Sequence, residues 1–131
     1  MGNASGTFEV VIKPEPLSEV AAGAALGRMS LDKCYHGALE ATSRGEMLSA
    51  MGAVQGSAGY VAIERVTGVL DGREGSFYLQ HSGTMTRGAP ALSVNVVPDS
   101  GTGQLAGLRG TLRIRIEEGR HFYDFDYQLA D

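Results

Sequence analysis

Pro98-Asp99-Ser100-Gly101-Thr102-Gly103-Gln104-Leu105-Ala106-Gly107-Leu108-Arg109-Gly110 runs directly into Thr111-Leu112-Arg113-Ile114-Arg115-Ile116. Gly101 to Ala106 satisfies the dinucleotide pattern G-x-G-x-x-G/A, and an acidic residue, Asp124, follows about twenty positions on. That pattern binds a pyrophosphate only where the glycines open a helix whose N-terminal amides face the ligand. Here they open an alternation of apolar and charged residues, the signature of a strand. The glycines therefore read as a corner or bulge between strands, where missing side chains let the backbone turn or pass close to a neighbour. No Gly-Lys-Ser or Gly-Lys-Thr occurs, so the other common phosphate loop is absent as well.

Outward from that stretch, period-two patterns recur. Phe8, Val10 and Ile12 share one face of an early segment, and Leu112, Ile114 and Ile116 share one face of a late one. At the C-terminal end Tyr123, Phe125, Tyr127 and Leu129 alternate with Phe122, Asp124, Asp126 and Gln128, which predicts a closing strand with an aromatic inner face. Asp71-Gly72 is a strong two-residue hairpin signal, and Glu118-Gly119 a similar one. Further breaks at Gly37, Gly56 to Gly59, Arg87-Gly88 and Pro98 to Gly103 leave eight strands, near 6–13, 26–35, 39–51, 60–70, 74–84, 90–97, 108–117 and 120–129. Only Leu17 to Leu26 invites a helical turn, weakened by Gly23 and Gly27. So many antiparallel strands do best as a closed sheet without free edges, so the expected fold is all-β, an eight-stranded antiparallel closed β-barrel.

With 131 residues and 43% hydrophobic content, the chain fits a single domain, 1–131, with residues 1–5 a flexible polar start. A net charge of −4 opposes nucleic acid or an anionic membrane as the main partner. The N-terminus lacks a secretion signal, no apolar stretch is long enough to span a bilayer, and Cys34 is the single cysteine. The expectation is a cytoplasmic protein.

The block Glu64-Arg65-Val66-Thr67-Gly68-Val69-Leu70-Asp71-Gly72-Arg73-Glu74-Gly75-Ser76-Phe77-Tyr78-Leu79-Gln80-His81-Ser82-Gly83, with Val96 to Gly110, resembles a bacterial family of unassigned function, domain of unknown function three-two-two-four. The similarity runs from Gly6-Thr7-Phe8-Glu9-Val10 to Tyr127-Gln128-Leu129. That family looks like the barrel of plant allene oxide cyclases and, more distantly, dirigent proteins, which implies an eight-stranded antiparallel barrel. The resemblance carries no reaction with it.

Glu64 and His81 are the candidate reactive pair, because His81 has the parity of Phe77 and Leu79 while Glu64 has that of Tyr60, Ala62 and Val66. Facing inward, they can serve as a general acid/base couple. The plainer reading is a polar plug satisfied by Arg65, Gln80 or a buried water. Tyr60, Tyr123 and Tyr127, with Arg65 and Gln80, are candidates to line a pocket for a small apolar ligand, since a barrel of this size either packs its interior or holds one small molecule. His36, His81, His121, Cys34 and Glu64 show no metal-ligand spacing, so neither a metal nor a cofactor is expected. Cys34 reads as a small core residue, and Arg109, Arg113 and Arg115 as a solvated outer stripe with cross-strand ion pairs. The expected function is small-molecule binding, with isomerase or cyclase activity on an apolar substrate as its catalytic extension. The alternative is a non-catalytic module with a filled core that forms homo-oligomers through outer apolar residues such as Val11, Val61 and Ile63.

Overall fold

The computed structural model describes residues 2–129. Its strands are β1 (Gly2–Pro14), β2 (Gly27–Gly37), β3 (Leu39–Met51), β4 (Ala58–Leu70), β5 (Arg73–Thr86), β6 (Ala89–Val96), β7 (Arg109–Glu117) and β8 (Arg120–Gln128). They close in chain order into one antiparallel barrel. Asp71-Gly72, Arg87-Gly88 and Glu118-Gly119 each have two successive positive φ values, the backbone of the tight hairpin turn that matches strand twist.

The two ends of the barrel differ. At one end the aromatic rows of β5 and β8 meet, with Phe77 and Phe125 stacked at 5.9 Å between ring centroids. The glycine-rich run caps this end. After Val96 the chain stays against β5 in place of a strand, with Thr102 N–H bonding Ser76 C=O at 2.8 Å and Gln104 accepting from Glu74 N–H at 2.8 Å. A single 3-10 turn, Gly103–Leu105, then inserts Leu105, and Leu108 follows it into the core. Burying each leucine contributes about 1.5–3 kcal/mol. The run is thus a strap and plug, as its reading as a strand-to-strand device implies.

At the other end β1 runs past β8. β1 pairs with β8 only up to Phe8↔His121, whereas its pairing with β2 continues to Pro14↔Met29. β6 and β7 are joined by one residue pair, Asn95↔Thr111. Pro90, which has no N–H to donate, occupies the part of β6 left unpaired on that side. Inward-facing apolar residues at this rim therefore stay in contact with solvent: Ile12, Met85, Leu92 and Ile116 are 49%, 42%, 45% and 63% exposed.

One expectation is corrected. Residues 2–5 are not a flexible start, because they pair with Asp124 to Tyr127 of β8. A sequence of small polar residues hides this, since the Tyr127 ring lies where a Gly2 side chain would be. The 17–26 segment, where the sequence invites at most a weak helical turn, forms two successive turns, Ala21 N–H to Ser18 C=O and Ala24 N–H to Ala21 C=O, and no helix.

Gly103 has φ of +59°, and a Cβ there would lie 2.9 Å from Glu74 O, whereas a Cβ on Gly101 would lie 1.9 Å from Leu105 O. Gly103→Ala is expected to cost about 1–3 kcal/mol and Gly101→Ala more, read as urea midpoints.

Candidate functional site

Alternation along β2 puts Leu31, Lys33 and Tyr35 on the inner face, and the same rule on β3, β4 and β5 turns Ser43, Glu64 and His81 inward. Antiparallel register then brings them together: Lys33 pairs with Ser43, and Ser43 with Val66, two residues from Glu64. Glu64 is fully buried and its carboxylate receives four donors. Oε1 accepts from the Tyr35 hydroxyl and, at 2.8 Å, from the Ser43 hydroxyl. Oε2 accepts from Lys33 Nζ at 2.7 Å and His81 Nε2 at 2.6 Å. Lys33 Nζ also lies 5.0 Å from the centre of the Phe8 ring, a face that attracts a cation.

These contacts set the protonation state of the carboxylate. Burial alone pushes the Glu64 pKa up, but the His81 hydrogen bond and the Lys33 charge outweigh it and hold the value at about 2. Burial, then the adjacent Glu64 charge, pushes the Tyr35 phenol well above its usual range. The cluster is an ionised carboxylate with its hydrogen-bonding capacity filled. Such a group holds other side chains in place and is a poor proton carrier near neutral pH.

Beyond the cluster, toward the open end, is a cavity of about 330 Å³ lined by Met47, Ser49, Tyr60, Met85, Pro90 and Leu92 among others. Neither Glu64 nor His81 lines it. Met47, Ala62 and His81 are side by side across β3, β4 and β5, so the cavity lies next to the cluster's layer.

The sequence pairing of Glu64 with His81 thus corresponds to a direct contact, while its other members scatter. Arg65 and Gln80, expected to satisfy that pair and to line the ligand pocket, face outward, as neighbours of inward residues on a strand must. Gln80 borders a separate groove on the outer surface. Tyr60 lines the cavity. Tyr123 is at the capped end, its hydroxyl accepting from Leu39 N–H at 2.9 Å and donating to His36 C=O at 2.9 Å. Tyr127 donates to Asp71 and is likewise distant from the mouth. Cys34 is exposed, not a core residue, because Lys33 and Tyr35 take the inner positions of β2. His36 is also outside, 2.9 Å from Glu9, and among the described residues no three candidate metal ligands converge. Arg113 pairs with Asp126 at 2.8 Å and Asp124 at 3.3 Å on the outer face, as the stripe reading anticipates. Lys33 and Tyr35 are marked as inward-facing only by the alternation Leu31-Lys33-Tyr35, and nothing in the sequence singles out Ser43.

Fold and site together define an all-β barrel with a plugged end, an ionic layer across its waist and an apolar mouth. The chain belongs to the family described as protein of unknown function (DUF3224), whose pattern matches residues 4–127. It is 54% identical to a protein of unknown function from that family in Shewanella oneidensis MR-1, whose crystal structure superposes with a TM-score of 0.92 over 100% of this chain and 98% of the other. Comparison with curated proteins found no match.

Glu64→Gln is expected to destabilise by about 3–5 kcal/mol, because its amide meets two donors and leaves Lys33 uncompensated. Lys33→Met combined with Glu64→Leu should recover much of that loss in the same urea titration. With a folded pKa below the ordinary 4.5, Glu64 contributes stability that is fully present above about pH 4.5 and lost as pH falls toward about 2. A urea midpoint that drops across that window in the wild type and is flatter in Glu64→Gln checks the sign.

Proposed function

We propose that the protein binds a small, largely apolar molecule in the open mouth of the barrel. The observation that carries this reading is the asymmetry of the two ends: inward-facing Met85 and Leu92 remain 42% and 45% exposed around a cavity of about 330 Å³, while leucines plug the opposite end. Apolar side chains left wet around a concavity are the usual lining of a ligand site. Tyr60 supplies a ring and a hydroxyl at its wall, and Ser49 a second polar contact.

The Glu64 cluster serves this site as a rigid floor. Isomerase or cyclase chemistry by Glu64 and His81 is not part of the proposal, because the carboxylate is saturated and the pair does not border the cavity. The exposed thiol of Cys34 suits a reducing compartment, which supports a cytoplasmic location.

Titration with an apolar naphthalene-sulfonate dye tests the site. Wild-type protein is expected to enhance dye fluorescence saturably. Leu92→Glu and Met85→Glu should each weaken binding at least tenfold without moving the urea midpoint, and Val11→Glu on the outer surface should leave binding intact. No saturable binding, or equal binding by the mouth variants, contradicts the proposal.

A further inference from the structure

The connection between β1 and β2, residues 15–26, is a built arm. Glu15 N–H bonds Arg28 C=O at 2.8 Å, and the Arg28 guanidinium donates to Pro16 C=O at 2.7 Å and to Glu46 at 2.5 Å. The Ser30 hydroxyl donates to the Glu15 carboxylate at 3.0 Å. Between the arm and the outer face of the sheet is a groove of about 1010 Å³, lined by Leu17, Ala21 and Leu26 from the arm and Leu48, Val61 and Ile63 from β3 and β4. Val20, at the tip, is 98% exposed.

Arg44 and Arg65 are directly opposite each other on β3 and β4, one step from Ile63. Like charges so placed repel; Asp32 is opposite Arg44 on β2, yet among the described residues neither arginine forms an ion pair. Tyr78, opposite Arg65 on β5 and 41% exposed, extends the strip. The complementary pattern is on the arm. Glu19, next to Val20, is exposed and without an ion-pair partner among the described residues.

We propose that the groove and the adjoining arginine pair receive the arm of a second copy of this chain, Val20 covering Val61 and Ile63 and Glu19 meeting Arg44 and Arg65. A two-fold axis makes the exchange reciprocal, so one operation covers both arms and both faces. The charge complementarity between arm and face selects a second copy as the occupant, because one chain presents both halves. The contact is independent of the barrel mouth.

Sedimentation velocity at about 100 μM tests this, a concentration at which even a Kd of about 10 μM gives mostly dimer. Wild type is expected to sediment as a dimer that weakens with salt. Val20→Asp and Ile63→Asp, both at exposed positions, should sediment as monomers with an unchanged circular dichroism spectrum and unchanged dye binding. Glu19→Arg should also be monomeric, and adding Arg44→Glu and Arg65→Glu to it should restore the dimer. A monomeric wild type, a dimer indifferent to Val20→Asp and Ile63→Asp, or a charge swap that fails to restore assembly overturns the proposal.

Discussion

A single buried carboxylate organises this barrel. Glu64, on β4, draws donors from Lys33 and Tyr35 on β2, Ser43 on β3 and His81 on β5. An isolated anion at that depth costs far more than a folded domain of this size can tolerate, so the four donors are a condition of the fold. They also fix register. A one-residue slip of any of these strands turns its donor, or Glu64 itself, to the outer face and leaves buried charge unpaired. The polar layer therefore specifies the pairing of four adjacent strands where apolar residues alone leave more freedom.

Above and below that layer the barrel does different things. Toward one end aromatic rings and two leucines fill the interior, and the glycine-rich strap lies along β5 where β6 has already ended. Toward the other end, a β1 that outruns β8, a short β7–β8 hairpin and a β6–β7 contact of one residue pair leave the inner wall open. The proposed binding site accordingly falls at the mouth, where inward apolar side chains stay exposed, and not at the filled waist.

The fold was legible in the sequence because its strands are local patterns. Alternation and paired-turn residues such as Asp71-Gly72 mark each strand without knowledge of its neighbours, and the positions of Gly101 and Gly103 ahead of an alternating segment rule out a phosphate loop. The site was legible only in part. Parity along β4 and β5 turns Glu64 and His81 inward, but which residues of β2 and β3 come opposite them depends on register across two further strands, and no local pattern encodes it. The charge of Lys33 hides its inward position, and Cys34, a natural core residue by type, faces out beside it. Arg65 and Gln80 adjoin the pair in sequence, and on a strand adjacency means the opposite face. Residues 2–6 lack apolar periodicity because Gly2 and Gly6 make room for Tyr127 and Tyr123 of β8.

The most direct test is the carboxyl carbon-13 resonance of Glu64, assigned by comparison with Glu64→Gln and followed from neutral pH downward. An anchor held by four donors stays ionised through pH 4.5 and titrates near 2. A midpoint at or above 4.5 would mean that the carboxylate is not locked by its partners and that the barrel is organised by something else.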